Sequence, residues 1–152
     1  FLRYMALSPA AGVDFDVRKY DFDRHPPRLA TMARMYDATN PDLTAFRERG
    51  GKLLLFHGWA DPLVTPQRTL EYYAAVRARM GGNESTAEFA RLFMLPGVDH
   101  CGLQPGPGAK SIEFDPLPAL EAWVERDEAP AALNVRWQMT DGSVRKRAVT
   151  PQ

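Results

Sequence analysis

Two apolar runs restrict the possible fold of this chain more than any other feature. Each run is followed by a short loop with one polar residue suited to catalysis. The run at residues 52–57 is bounded by glycines and leads to Asp61, and the run at residues 92–95 leads to His100, 39 residues after Asp61. A continuous apolar run bounded by glycines is typical of a strand buried on both faces of a parallel sheet. Because the carboxyl ends of adjacent parallel strands share one edge of a sheet, we expect Asp61 and His100 to lie within reach of each other.

The segments around these strands have helical patterns, so the fold class is predicted to be α/β with parallel strands and flanking helices. Helices are predicted over residues 26–40, 42–49, 65–81 and 115–128, and the second strand over residues 88–95. Residues 98–113 are predicted as a long loop. Two strands around an Asp141-Gly142 turn, residues 134–139 and 143–149, predict a β-hairpin at the C-terminal end.

These elements suggest three parts within one catalytic-type domain. Residues 1–25 form an irregular lead-in, residues 26–130 an α/β core and residues 131–152 a hairpin tail. Two parallel strands alone make a poor sheet. We therefore expect further strands to come from sequence outside this chain.

Composition excludes several classes of partner. The 152 residues include 19 basic and 19 acidic side chains, so charge gives no argument for binding nucleic acid or an anionic membrane. No apolar run is long enough for a transmembrane helix. A single cysteine cannot form a disulfide within the chain.

Asp61 and His100 have the residue types of the acid and base in a catalytic triad. A carboxylate can accept a hydrogen bond from an imidazole and fix its tautomer, and histidine is suited to general base catalysis near neutral pH. Taken singly, each also has a plain interpretation, because Asp-Pro is common in turns and a loop histidine needs no role.

A nucleophile is not apparent. None of the four serines, Ser8, Ser85, Ser111 and Ser143, stands in a Gly-x-Ser-x-Gly sequence between a strand and a helix. Cys101 is the only thiol. It could act beside His100 as in a cysteine hydrolase, although adjacent residues of an extended loop usually point apart. It could also form a disulfide to a cysteine outside the chain.

Two further residues at the end of the first strand are candidates for the substrate pocket. His57 could line the pocket or be a hydrogen-bonded structural histidine. Trp59 could form an apolar wall for an aromatic group or pack its own loop. Three scattered histidines and one cysteine give no zinc pattern, and the acidic residues between 14 and 23 lack the features of a calcium loop.

Several blocks of the sequence together resemble one family of esterases. The blocks are residues 42–46, the run 50–62 with His-Gly-Trp-Ala-Asp-Pro at its end, residues 96–102 with Gly-Val-Asp-His-Cys-Gly, and residues 106–108. At this spacing they are similar to the C-terminal part of the tannase and feruloyl esterase family. The resemblance covers roughly residues 14–130.

The resemblance implies the C-terminal portion of an α/β-hydrolase sheet and a Ser-His-Asp mechanism on esters of aromatic acids. It makes Asp61 the triad acid and His100 the base, with the nucleophilic serine upstream of this chain. It also implies a disulfide from Cys101 to a cysteine beside that serine. The chain itself would need no cofactor, since the family's calcium site would lie outside it.

Secretion or a periplasmic location is likewise implied by the resemblance alone, because the chain contains no signal peptide. Asp99 departs from the family pattern, which usually has a small residue there. This chain by itself is expected to be inactive. The alternative is a non-catalytic binding or interaction module on a hydrolase-derived scaffold, able to associate through an exposed sheet edge.

Overall fold

The computed structural model describes residues 1–100 and 108–152 of the chain. These residues form two compact units, Phe1–Thr39 and Asn40–Gln152. Cys101 lies outside the described residues, so its predicted disulfide stays a prediction.

The first unit is built from short helical segments. They are a π-helical turn at Leu2–Ala6, 3-10 turns at Val17–Lys19 and Pro26–Leu29, and helix α1, Ala30–Tyr36. Long-range hydrogen bonds join them: the Ser8 amide donates to the Arg28 carbonyl at 3.0 Å. The helix predicted over residues 26–40 is thus present in two pieces and ends earlier than expected.

The second unit contains the predicted parallel strands. After helix α2, Thr44–Glu48, strand β1, Leu53–Gly58, pairs in parallel with β2, Ala90–Leu95. Helices α3, Pro66–Arg79, and α4, Gly82–Ala87, connect them. Helix α4 was not predicted. The chain turns at Gly81, whose φ is 94°, and this turn leads into the short helix before β2 begins.

Strand β2 lies between two hydrophobic clusters, because successive side chains of a strand point to opposite faces. Ala90, Leu92 and Met94 pack in one cluster with Tyr73 and Val76 of α3. The alternate residues, Phe93 and Leu95, pack in a second cluster with residues of the C-terminal sheet. Burial on both faces explains why β2 is a nearly continuous apolar run.

The C-terminal sheet has three antiparallel strands. β3, Ala109–Glu113, pairs with β4, Leu133–Met139, and β4 pairs with β5, Val144–Val149. The predicted hairpin is confirmed as β4 and β5. The prediction of a loop through residue 113 is wrong, since residues 109–113 form β3. This strand has only one large apolar side chain, Ile112, and it depends on the edge of β4 for its hydrogen bonds.

Helix α5, Leu117–Arg126, connects β3 to β4 within the C-terminal sheet. The spacing of residues 117, 120, 123 and 124 predicts one apolar face for this helix, but Leu117 and Val124 are exposed. Trp123 is the buried residue of this helix, and the cations of Lys52 and Arg91 lie 5.4 Å from its ring centroid. This one large side chain therefore anchors α5, aided by cation–π attraction.

Candidate active site

Asp61 lies in the loop after β1, and that loop holds its carboxylate in place. Oδ1 accepts hydrogen bonds from the backbone amides of Leu63, at 2.8 Å, and Val64, at 2.9 Å. This is the local turn that an Asp-Pro sequence favours. Only 5% of the side chain is exposed. The turn therefore presents Oδ2, the other oxygen, away from the backbone amides.

His100 lies in the loop after β2, which approaches the end of β1 very closely. The amides of Trp59 and Ala60 donate to the carbonyls of Leu95, at 2.9 Å, and Val98, at 3.0 Å. A Cβ on Gly58 would overlap the Val98 carbonyl. Glycine is thus required at position 58 for the two loops to meet.

The two loops bring the predicted acid and base into direct contact. His100 Nδ1 lies 2.8 Å from Asp61 Oδ2, so the imidazole donates this hydrogen bond when Nδ1 carries its proton. The other ring nitrogen, Nε2, makes no hydrogen bond with the described residues, and about a third of the side chain is exposed. An imidazole held this way is oriented to accept a proton at Nε2.

Asp61 is held in its ionised form. Burial acts to raise the pKa of this carboxyl. The Val64 amide, the His100 ring and the Leu63 amide donate hydrogen bonds that outweigh burial, and the charge of His100 acts in the same direction. The pKa of Asp61 consequently lies well below its ordinary value.

His57, at the end of β1, also contacts the acid. Its Nε2 lies 3.1 Å from Asp61 Oδ2, and its Nδ1 lies 2.6 Å from Thr69 Oγ1 on α3. Only 12% of its side chain is exposed. His57 is therefore a hydrogen-bonded histidine that also lines the cavity described next. Sequence analysis did not identify Thr69, because no local pattern links it to a residue twelve positions earlier.

A cavity of about 500 Å³ opens beside these residues. Its polar lining is His57, Asp61, Asp99 and His100. Its large apolar lining comes from β1, from the end of β2, from both loops, from β3 and from the segment after β3: Phe56, Leu95, Val64, Val98, Ile112 and Phe114. Few polar groups on an apolar wall are typical of a small-molecule site.

Trp59, Ser85 and Ser143, which were also considered from the sequence, lie outside the cavity lining. Trp59 is half exposed and is not part of the cavity lining. None of the lining residues in the described part of the chain is a serine. Ser85 accepts a hydrogen bond from Arg47, and Ser143 donates one to Asp141 in the hairpin turn. The described residues thus bring the predicted acid and base together, with no serine in the cavity lining.

The described ranges contain no group of three or more histidine, cysteine, aspartate or glutamate side chains arranged to hold a metal ion. Within the same ranges, no helix is both long and apolar enough to cross a membrane.

Comparison with known proteins gives one consistent result. The family model for tannase and feruloyl esterase matches residues 5–151. The chain is 40% identical over 142 residues to a mono(2-hydroxyethyl) terephthalate hydrolase of Piscinibacter sakaiensis, covering 88% of this chain and 22% of that protein. It is 39% identical over 125 residues to a probable feruloyl esterase of Arthroderma benhamiae, covering 80% of this chain and 23% of that protein.

Solved structures agree with the sequence matches. The tannin acyl hydrolase of Aspergillus niger matches with a TM-score of 0.76 at 25% identity, over 99% of this chain and 29% of that one. An esterase from Aspergillus oryzae matches with a TM-score of 0.74 at 25% identity, over 98% of this chain and 32% of that one.

The α/β fold of the chain is thus shared with solved esterases. The chain belongs to the tannase and feruloyl esterase family. It spans less than a quarter of the length of the first two relatives named above.

Proposed function

We propose that this chain supplies the acid and the base of a serine esterase that cleaves esters of aromatic acids. The observation that carries the proposal is the 2.8 Å contact between Asp61 Oδ2 and His100 Nδ1 beside an apolar cavity. The names of the relatives, a terephthalate monoester hydrolase and a feruloyl esterase, support an aromatic ester as the substrate.

In this mechanism His100 takes the proton of the serine hydroxyl at Nε2 as the serine attacks the ester carbonyl. Asp61 holds the ring in position and stabilises the imidazolium that forms. His100 then passes the proton to the leaving alcohol. Water attacks the acyl-enzyme by the same route, and the aromatic acid is released.

The serine is proposed to come from sequence outside these 152 residues. Two observations support this. The lining residues described for the cavity include no serine, and β1 pairs only with β2 in the described part of the chain. Phe56 on β1 is half exposed, as expected if another strand or segment covers that side. The disulfide from Cys101 and the secretion of the whole protein remain predictions that rest on the family resemblance.

The test compares two proteins on methyl ferulate and methyl gallate. One is this 152-residue chain, and the other is a longer natural protein that contains it. We expect no turnover by the chain and turnover by the longer protein that His100→Ala abolishes. A fluorophosphonate ester should label a serine of the longer protein outside this chain.

Two outcomes would contradict this proposal. Turnover by the 152 residues that His100→Ala abolishes would place the nucleophile inside the chain, and thiol-reagent sensitivity would then indicate Cys101. A longer protein that binds aromatic esters without cleaving them would instead indicate the binding-module alternative.

A further inference from the structure

His57 makes three polar contacts that together determine where its proton lies. Nε2 lies 3.1 Å from Asp61 Oδ2 and 3.1 Å from the Val64 carbonyl oxygen. Both are acceptors, so Nε2 must carry a hydrogen. Nδ1 lies 2.6 Å from Thr69 Oγ1, and a hydroxyl can donate to a bare ring nitrogen. The network therefore assigns neutral His57 to the Nε2–H tautomer, with Thr69 as donor to Nδ1.

The same oxygen of Asp61 receives both histidines. His57 Nε2 and His100 Nδ1 each donate to Oδ2, while Oδ1 is occupied by the amides of Leu63 and Val64. A partial rotation of the carboxylate about its terminal bond would lengthen the contacts of both oxygens. Of the two ring donors, His57 is the more buried and belongs to a strand, whereas His100 belongs to a loop.

We infer that His57 is a positioning residue, which with Thr69 fixes Asp61 Oδ2 in the place where His100 meets it. The geometry of this inference rests on the contacts alone. Its catalytic purpose rests on the proposed esterase function. Thr69 on α3 thus donates to His57 on β1, and His57 donates to Asp61 in the next loop. Asp61 in turn accepts the hydrogen bond from His100. Without His57, the only side-chain donor to Oδ2 among the described residues is His100 itself.

The conservative variant separates a positioning role from plain packing. Glutamine can place an amide N–H near the position of Nε2, so His57→Gln retains a donor to Oδ2. His57→Phe keeps a ring of similar size and removes the donor. Thr69→Val removes the donor to Nδ1 with little change of shape, and Thr69→Ser retains it.

The first measurement is NMR of the chain labelled with ¹⁵N-histidine. The chain contains only three histidines. The Nδ1–H proton of His100, hydrogen-bonded to Asp61, reports the contact between the two side chains without any catalysis. We expect this resonance in the wild type and His57→Gln. It should be lost or broadened in His57→Phe and weakened in Thr69→Val but not in Thr69→Ser.

The second measurement is kinetic, in a longer protein that cleaves esters. His57→Phe should lower kcat roughly ten- to hundred-fold, the equivalent of one hydrogen bond to a charged group, with KM nearly unchanged. His57→Gln should recover most of the loss. If no longer protein cleaves an ester, the esterase proposal fails while the NMR result still decides the role of His57.

A His100 Nδ1–H resonance of full intensity in folded His57→Phe would overturn the inference, as would a His57→Gln variant no better than His57→Phe. If His57→Phe does not fold, the pair Thr69→Val and Thr69→Ser decides. Equal spectra for those two variants would then contradict the positioning role.

Discussion

The two loops that form the candidate site are held in different ways. The loop with Asp61 is fixed locally, since its carboxylate bonds to amides two and three residues ahead and to a histidine four residues behind. The loop with His100 is fixed by contacts with the end of β1, including the hydrogen bond from Ala60 to Val98. The position of Asp61 is therefore set by its own sequence neighbourhood, whereas that of His100 depends on strand pairing and a close backbone approach.

The largest effect on stability is expected from Gly58→Ala, which disrupts the tertiary contact between the two loops. A methyl group there would overlap the Val98 carbonyl, so the His100 loop must move. We expect the free energy of unfolding to fall by roughly 1–3 kcal/mol and the contact between His100 and Asp61 to be lost. Chemical denaturation and the His100 Nδ1–H resonance measure the two effects.

Ala60→Ser is the matched control for Gly58→Ala, because it adds one heavy atom at an exposed position of the same loop. It should change stability by no more than about 0.5 kcal/mol. Equal behaviour of the two variants would show that the close approach at Gly58 is unimportant.

Asp61→Asn replaces the carboxylate that accepts the hydrogen bonds within its own loop. In a longer protein that cleaves esters, kcat should fall by roughly 10⁴-fold, since the amide no longer holds the imidazole in the required tautomer. Steady-state kinetics measure this loss. A fall of less than tenfold would remove Asp61 from the role of triad acid.

The stability effect of Asp61→Asn should depend on pH. The folded-state pKa of Asp61 lies below the ordinary value of about 3.9, so its ionised form stabilises the fold above about pH 5. That contribution is lost as pH falls through the ordinary value towards the lower folded-state pKa. Denaturation of both proteins should thus show a clear difference at pH 7 and a smaller one at pH 3. A difference that grows towards pH 3 would contradict the assignment.

Leu63→Pro should have an intermediate effect on catalysis. It removes one of the two amide donors to Asp61 Oδ1 and leaves the other donor, from Val64. We expect kcat to fall roughly tenfold, in line with the loss of one hydrogen bond to a charged group. Leu63→Ala is the control, because the exposed side chain is not what contacts Asp61, and it should match the wild type. Equal kcat values for both variants would show that the local turn does not matter.

Asp99→Asn should have the smallest effect and sharpens the contrast with Asp61. Asp99 lines the same cavity, but its buried Oδ1 has no hydrogen-bond partner among the residues that the structure describes. Asparagine has nearly the same shape and breaks no hydrogen bond of Oδ1, so the free energy of unfolding should stay within about 0.5 kcal/mol of the wild type. A marked loss of stability in denaturation experiments would mean that Asp99 is paired in solution.

The site was predictable from sequence to the extent that its parts are local. The apolar runs, the glycines and the Asp-Pro turn predicted two parallel strands with loops at one edge, and the pairing of β1 with β2 confirms the strands. Strand β3 and helix α4 were missed. The first has little apolar pattern and depends on β4, and the second is too short to be distinguished from a turn.

The sequence by itself determined the residue types of the proposed acid and base, their order, the strands that precede them and the family to which the chain belongs. The tertiary structure decided which side chains meet. Asp61 and His100 are 39 positions apart, and their contact requires strand pairing and the space left by Gly58. His57 and Thr69 were joined to the same network because α3 packs beside β1. Hydrogen bonds between distant residues depend on distances that only the packed chain sets, so no local pattern could reveal them.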